Sequence, residues 1–118
     1  MDERAFKERT KQLGLRVIRL VEALPHQPAA QIIVRQVLRS ATSVGANYRA
    51  SCRAKSKADM INKLKIVEEE ADETLYWLEL LVEAEFCSET RLSQLMDETN
   101  QIIAMTVSSI KTLRHKKP

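Results

Sequence analysis

The chain has two glycines and three prolines in 118 residues, and aromatic side chains make up only 4% of it. An all-β or α/β fold of this length needs a turn about every ten residues, and tight turns draw heavily on glycine and proline. Those folds are excluded for want of turn chemistry. No run approaches the ~18 consecutive apolar residues of a membrane-spanning helix. Met1-Asp2-Glu3-Arg4 does not read as a secretory leader either, so a cytoplasmic protein with no membrane partner is expected. The two cysteines, Cys52 and Cys87, stand alone, form no CxxC and have no histidine beside them. They read as reduced, half-buried thiols.

Catalytic chemistry is equally sparse. A di-iron bundle needs Glu-x-x-His motifs on facing helices. The only histidines are His26, in a turn bracketed by Pro25 and Pro28, and His115, near the C-terminus. There is no glycine-rich phosphate loop, no HExxH and no Ser/His/Asp pattern. The carboxylates Glu68, Glu69, Glu70, Asp72 and Glu73 wind around a helix instead of converging. No enzyme activity, cofactor or metal is expected.

What remains is 44% hydrophobic and 30% charged, a globular composition, and its apolar residues are spaced for helices. Phe6, Leu13, Val17, Leu20 and Leu24 share one face of a first helix over about 4–24, which Pro25 should end. Pro28 suits the opening of a second helix, about 29–54, whose face carries Ile33, Val37, Ala41, Val44, Tyr48 and Cys52. Gly45 inside it costs about 1 kcal/mol against alanine, which predicts that another helix backbone passes close by. Ser56 with Asp59 three residues on is the cap-plus-acid pattern of a third helix, about 57–85. Its seam is Met60, Leu64, Val67, Ala71, Thr74, Leu78 and Leu81. Ser88-Glu89 opens a fourth, about 89–114, striped by Leu92, Leu95, Thr99, Ile102, Thr106 and Ile110, with a frayed basic tail from Arg114. Four long helices with short links make an all-α, antiparallel up-down-up-down four-helix bundle, one domain over 1–118.

Helix three is apolar on more sides than a monomeric bundle can bury. Beside its seam runs a mixed stripe of Ile66, Glu70, Glu73, Trp77 and Leu80, which reads as a subunit interface with Trp77 as anchor. The alternative places Trp77 across the bundle edge under the loops.

Charge is sorted along the chain. From 31 to 65 stand Arg35, Arg39, Arg49, Arg53, Lys55, Lys57, Lys63 and Lys65, opposed only by Asp59; from 66 to 98 acids dominate and Arg91 is the one base. Arg35, Arg39, Arg49 and Arg53 fall on one stripe of helix two, continued by Lys55 and Lys57 in the following loop. Guanidinium forks in a row suit phosphate oxygens, hence RNA. The competing reading pairs these arginines with the Glu70–Glu73 region, within the chain or on a neighbour in a head-to-tail ring.

Two segments resemble a known family: Leu38-Arg39-Ser40-Ala41-Thr42-Ser43-Val44-Gly45-Ala46-Asn47-Tyr48-Arg49-Ala50, and Glu69-Glu70-Ala71-Asp72-Glu73-Thr74-Leu75-Tyr76-Trp77-Leu78. Together they resemble the 23S rRNA intervening-sequence proteins, four-helix bundles once labelled as a ribosomal protein. Many relatives carry Asn-Ile-Ala-Glu-Gly where this chain has Asn47-Tyr48-Arg49-Ala50-Ser51. The resemblance implies a barrel-like homopentamer with a central channel. A related group, the accessory variability protein of diversity-generating retroelements, is a basic pentameric bundle that binds reverse transcriptase and template RNA. The expectation is therefore a non-enzymatic homo-oligomer binding RNA through Arg35, Arg39, Arg49, Arg53, Lys55 and Lys57. The alternative is a scaffold or accessory subunit for a partner enzyme such as a reverse transcriptase, without RNA contact.

Overall fold

In a computed structural model that describes residues 2–116, four helices follow one another: α1 Glu3–Glu22, α2 Pro28–Ser51, α3 Lys57–Glu83 and α4 Glu89–His115. They form a rod of 51 × 22 × 20 Å. Each helix packs on the next in sequence, and α1 returns to α4, where the approach is loosest. This is the expected antiparallel bundle.

The helix ends differ from the sequence expectations for local reasons. α1 stops at Glu22 and not at 24, because the residue before Pro25 is pushed out of the helical region. α2 opens one residue earlier, at Pro28, and closes at Ser51, three residues short of 54. There the backbone tightens, with Arg53 and Ala54 N–H groups reaching Ala50 and Ser51 carbonyls. α3 ends at Glu83 and not 85, in a Schellman turn. The Phe86 N–H bonds to the Leu81 carbonyl, the Glu85 N–H bonds to that of Val82, and Glu85 sits at φ 63°. α4 runs through Arg114 and His115, which are helical and not frayed; the Lys57 ammonium donates to the carbonyl of Lys116, just past the helix end. Lys117 and Pro118 lie outside the described residues.

Caps account for three of the four starts. Asp2, Ser56 and Ser88 accept from the N–H groups of Arg4, Asp59 and Arg91, while α2 uses Pro28. Phe6, Leu13, Val17, Val37, Val44, Leu64, Val67, Leu78, Leu81, Leu92 and Ile102 fill the centre. The threonines among them are satisfied within their own helices: Thr10, Thr99 and Thr106 hydroxyls bond to the carbonyls of Phe6, Leu95 and Ile102. Gly45 meets its expected neighbour. A Cβ placed there would lie 3.2 Å from the Thr10 carbonyl oxygen of α1, so the two backbones touch.

Candidate nucleic-acid interface

The arginine stripe of α2 divides between two edges of the bundle. Arg39 turns toward α3, where its guanidinium donates to Glu73 Oε1 at 2.7 Å and to Glu70 Oε2 at 3.2 Å. Glu73 also accepts from the Trp77 indole N–H at 3.3 Å. The hydrogen bond from Arg39 holds the Glu73 carboxyl below its usual range, against a smaller opposing effect of burial. At the next residue of each helix, Thr74 and Ser40 share a buried hydroxyl–hydroxyl hydrogen bond of 2.9 Å. Arg39 is thus a tie between helices within one chain.

Arg49 and Arg53 go to the other edge. With Arg4, Lys7 and Lys11 of α1 they line an open groove of about 580 Å³ between α1 and α2. Its floor is Gly14, Leu15, Ile18, Gly45 and Ala46, and its one carboxylate, Glu8, accepts from Gln12. None of the five cations forms a salt bridge among the described residues. Five like charges around a single carboxylate raise the local potential and draw in anions.

Antiparallel folding brings further cations to the same end of the rod. The 52–56 link, the first turn of α3 and the last turn of α4 meet where Lys57 reaches Lys116. Lys55, Arg114 and Lys116 are exposed there. At the opposite end, the close of α3 and start of α4 present Glu79, Glu83, Glu85 and Glu89. The sorting along the chain becomes a polarity along the rod. Arg35, by contrast, stands exposed on the outer ridge of α2, beyond the groove lining.

The stripe Ile66, Glu70, Glu73, Trp77 and Leu80 runs beside this tie along the α2–α3 face. Trp77 is half-buried against the core and meets Tyr76 edge-on at 5.0 Å. Among the described residues, three of the four exposed large apolar side chains lie on α2 and α3, with Ile32 59% exposed, Tyr76 53% and Ile66 41%; the fourth is Ile18 of α1. Ile32 is separated from Arg39 by seven residues and so falls on the same helical row. No three of His, Cys, Asp and Glu converge to hold a metal among the described residues. Burial, with the neighbouring Glu3, pushes the Cys52 thiol up, away from the thiolate a nucleophile needs.

The profile of the 23S rRNA-intervening sequence protein family matches residues 3–108. The chain belongs to that family. It is also similar to a crystal structure from Bacteroides thetaiotaomicron described as a protein with unknown function from the S23 ribosomal protein family. That likeness has a TM-score of 0.87 and 35% identity, over 94% of this chain and 99% of the other. No curated protein matches. The motif by which the chain resembles its relatives has a physical reading in the fold. Ser40 with Thr74, and Arg39 with Glu70 and Glu73, join α2 to α3, and Trp77 braces Glu73 within α3. That part of the motif is a packing signature, whereas Thr42, Gly45, Ala46 and Arg49 of the same 38–50 run line the open cationic groove on the other side of α2.

The reading from sequence missed Arg4, Lys7 and Lys11, since only the crossing of α1 over Gly45 brings them beside Arg49 and Arg53. It also missed Arg9, which closes α1 onto α4 by donating to both Glu98 oxygens, at 2.6 and 3.1 Å, and to Gln101 at 2.9 Å.

Proposed function

We propose that this protein is a non-enzymatic, homo-oligomeric bundle that holds RNA by its phosphates at the basic end of the rod. The observation that carries this reading is the α1–α2 groove, with Arg4, Lys7, Lys11, Arg49 and Arg53 around it and one carboxylate. Lys55 and Lys57 extend that surface, while Arg39 is spent on α3 and Arg35 supplies only long-range attraction. Helix electrostatics gives no other reason for the sorting. Acids at the C-terminal end of α3 and lysines near its start oppose the helix dipole, at about 0.3–1 kcal/mol per charge.

Assembly rests on the α2–α3 face, where Ile32, Ile66, Tyr76, Trp77 and Leu80 offer apolar surface around the ion-paired Arg39–Glu70–Glu73 centre; five copies is the number the family resemblance implies. Trp77→Ala should lower the particle mass in light scattering, and an unchanged mass would count against this face. RNA binding is tested by anisotropy of a labelled oligonucleotide against the Arg49→Glu/Arg53→Glu double variant. Binding should weaken about a hundredfold with the mass unchanged. Loss of mass in place of binding would make these arginines interface residues. The same apolar face is what favours the second reading, a scaffold for a partner such as a reverse transcriptase. A pull-down whose yield survives nuclease while purified protein ignores RNA would select it.

A further inference from the structure

We infer that the ligand of the basic end is a single strand of either sugar, held by phosphate alone and bent from the α1–α2 groove onto the tip of the rod. This rests on the RNA-binding reading above and narrows it.

Shape speaks for a single strand. The cations occupy two surfaces that meet at an angle: the side groove with Arg49 and Arg53, and the tip with Lys55, Arg114 and Lys116. The rod is only 22 × 20 Å across. A duplex has a persistence length of ~150 base pairs and cannot turn that corner without a large bending penalty. A single strand turns it freely. Nor does the rod project a lone helix or ribbon that could enter a duplex groove.

The groove chemistry speaks for indifference to sugar and base. Telling RNA from DNA needs a group that bonds to the 2′-hydroxyl, and reading bases needs aromatic platforms or free amides. The groove lining has no aromatic, asparagine or glutamine. Its two hydroxyls are engaged, Thr10 with the Phe6 carbonyl at 3.0 Å and Thr42 with that of Leu38 at 2.8 Å. Glu8 is engaged with Gln12 at 2.9 Å. The side-chain donors that stay available are the five cations.

The test uses the full chain and three labelled probes longer than about 16 nucleotides: oligo-uridine, oligo-deoxythymidine and a blunt DNA duplex. The two single strands should bind within about threefold of each other with parallel salt slopes, and the duplex about tenfold or more weaker. Arg114→Glu with Lys55→Glu should weaken both single strands alike and leave the duplex value nearly unmoved. A preference of about tenfold or more for uridine over deoxythymidine would overturn the inference, as would a duplex bound as well as either strand. Either result would leave the RNA-binding reading standing. Failure of every probe to bind would overturn both.

Discussion

The two long edges of α2 receive arginines from one stripe and treat them oppositely. At the α2–α3 edge Arg39 meets Glu70 and Glu73, so its charge is neutralised and the helices are tied. At the α1–α2 edge Arg49 and Arg53 meet Arg4, Lys7 and Lys11, so charge accumulates over a groove. A helix stripe fixes the direction in which a side chain leaves. The neighbouring helix decides whether that side chain is structural or free.

The largest effect that separates the edges is on binding. Reversing Arg49 and Arg53 together should reduce oligonucleotide affinity about a hundredfold at moderate salt and leave the thermal midpoint in place. Arg39→Glu should do the reverse, lowering the midpoint with little change in affinity; equal effects on binding from the two edges would dissolve the distinction. The glycines of the α1–α2 contact give the next largest effect. Gly45→Ala gains helix propensity, but its Cβ would press at 3.2 Å on the rigid Thr10 carbonyl, so a net loss of about 1 kcal/mol is expected in urea unfolding. At Gly14 the nearest atoms are 3.7 Å away, and Gly14→Ala should stabilise by up to about 1 kcal/mol. If both variants shift the same way, the backbones are not in contact at Gly45.

The smallest effect is in pH. Arg39 lowers the Glu73 carboxyl below its usual value, so the tie contributes fully above the unfolded carboxylate pKa of ~4.3 and is lost as pH falls through the lower folded value. The gap in thermal midpoint between the wild-type protein and Arg39→Ala should therefore be present at neutral pH and shrink below about pH 4. A gap independent of pH would assign the Arg39 effect to packing.

The fold was legible because its signals are local. Pro25, Pro28, the Ser56 and Ser88 caps and regular seams such as Leu64–Val67–Ala71–Thr74–Leu78–Leu81 each act within a few residues of themselves. Gly45 announced a close crossing, although not which helix crosses. Helix ends were less legible: Glu85 takes a left-handed conformation that glycine would normally signal. The candidate site was half legible. Arg49 and Arg53 belong to a visible stripe, and so do Arg4, Lys7 and Lys11 at steps of three and four, but the two stripes stand some forty residues apart and nothing in either says that they face each other. The division of Arg39 from that stripe depends on the register of α2 against α3, which one helix cannot reveal.

The most direct measurement is the salt dependence of single-strand binding by the unmodified protein. Five groove cations engaging phosphate give an expected slope of log affinity against log salt of about −3.5, at about −0.7 per contact, falling by about one to two units in the Arg49→Glu/Arg53→Glu variant. A slope shallower than about −1, or one the double reversal leaves unchanged, would contradict a phosphate-binding groove between α1 and α2.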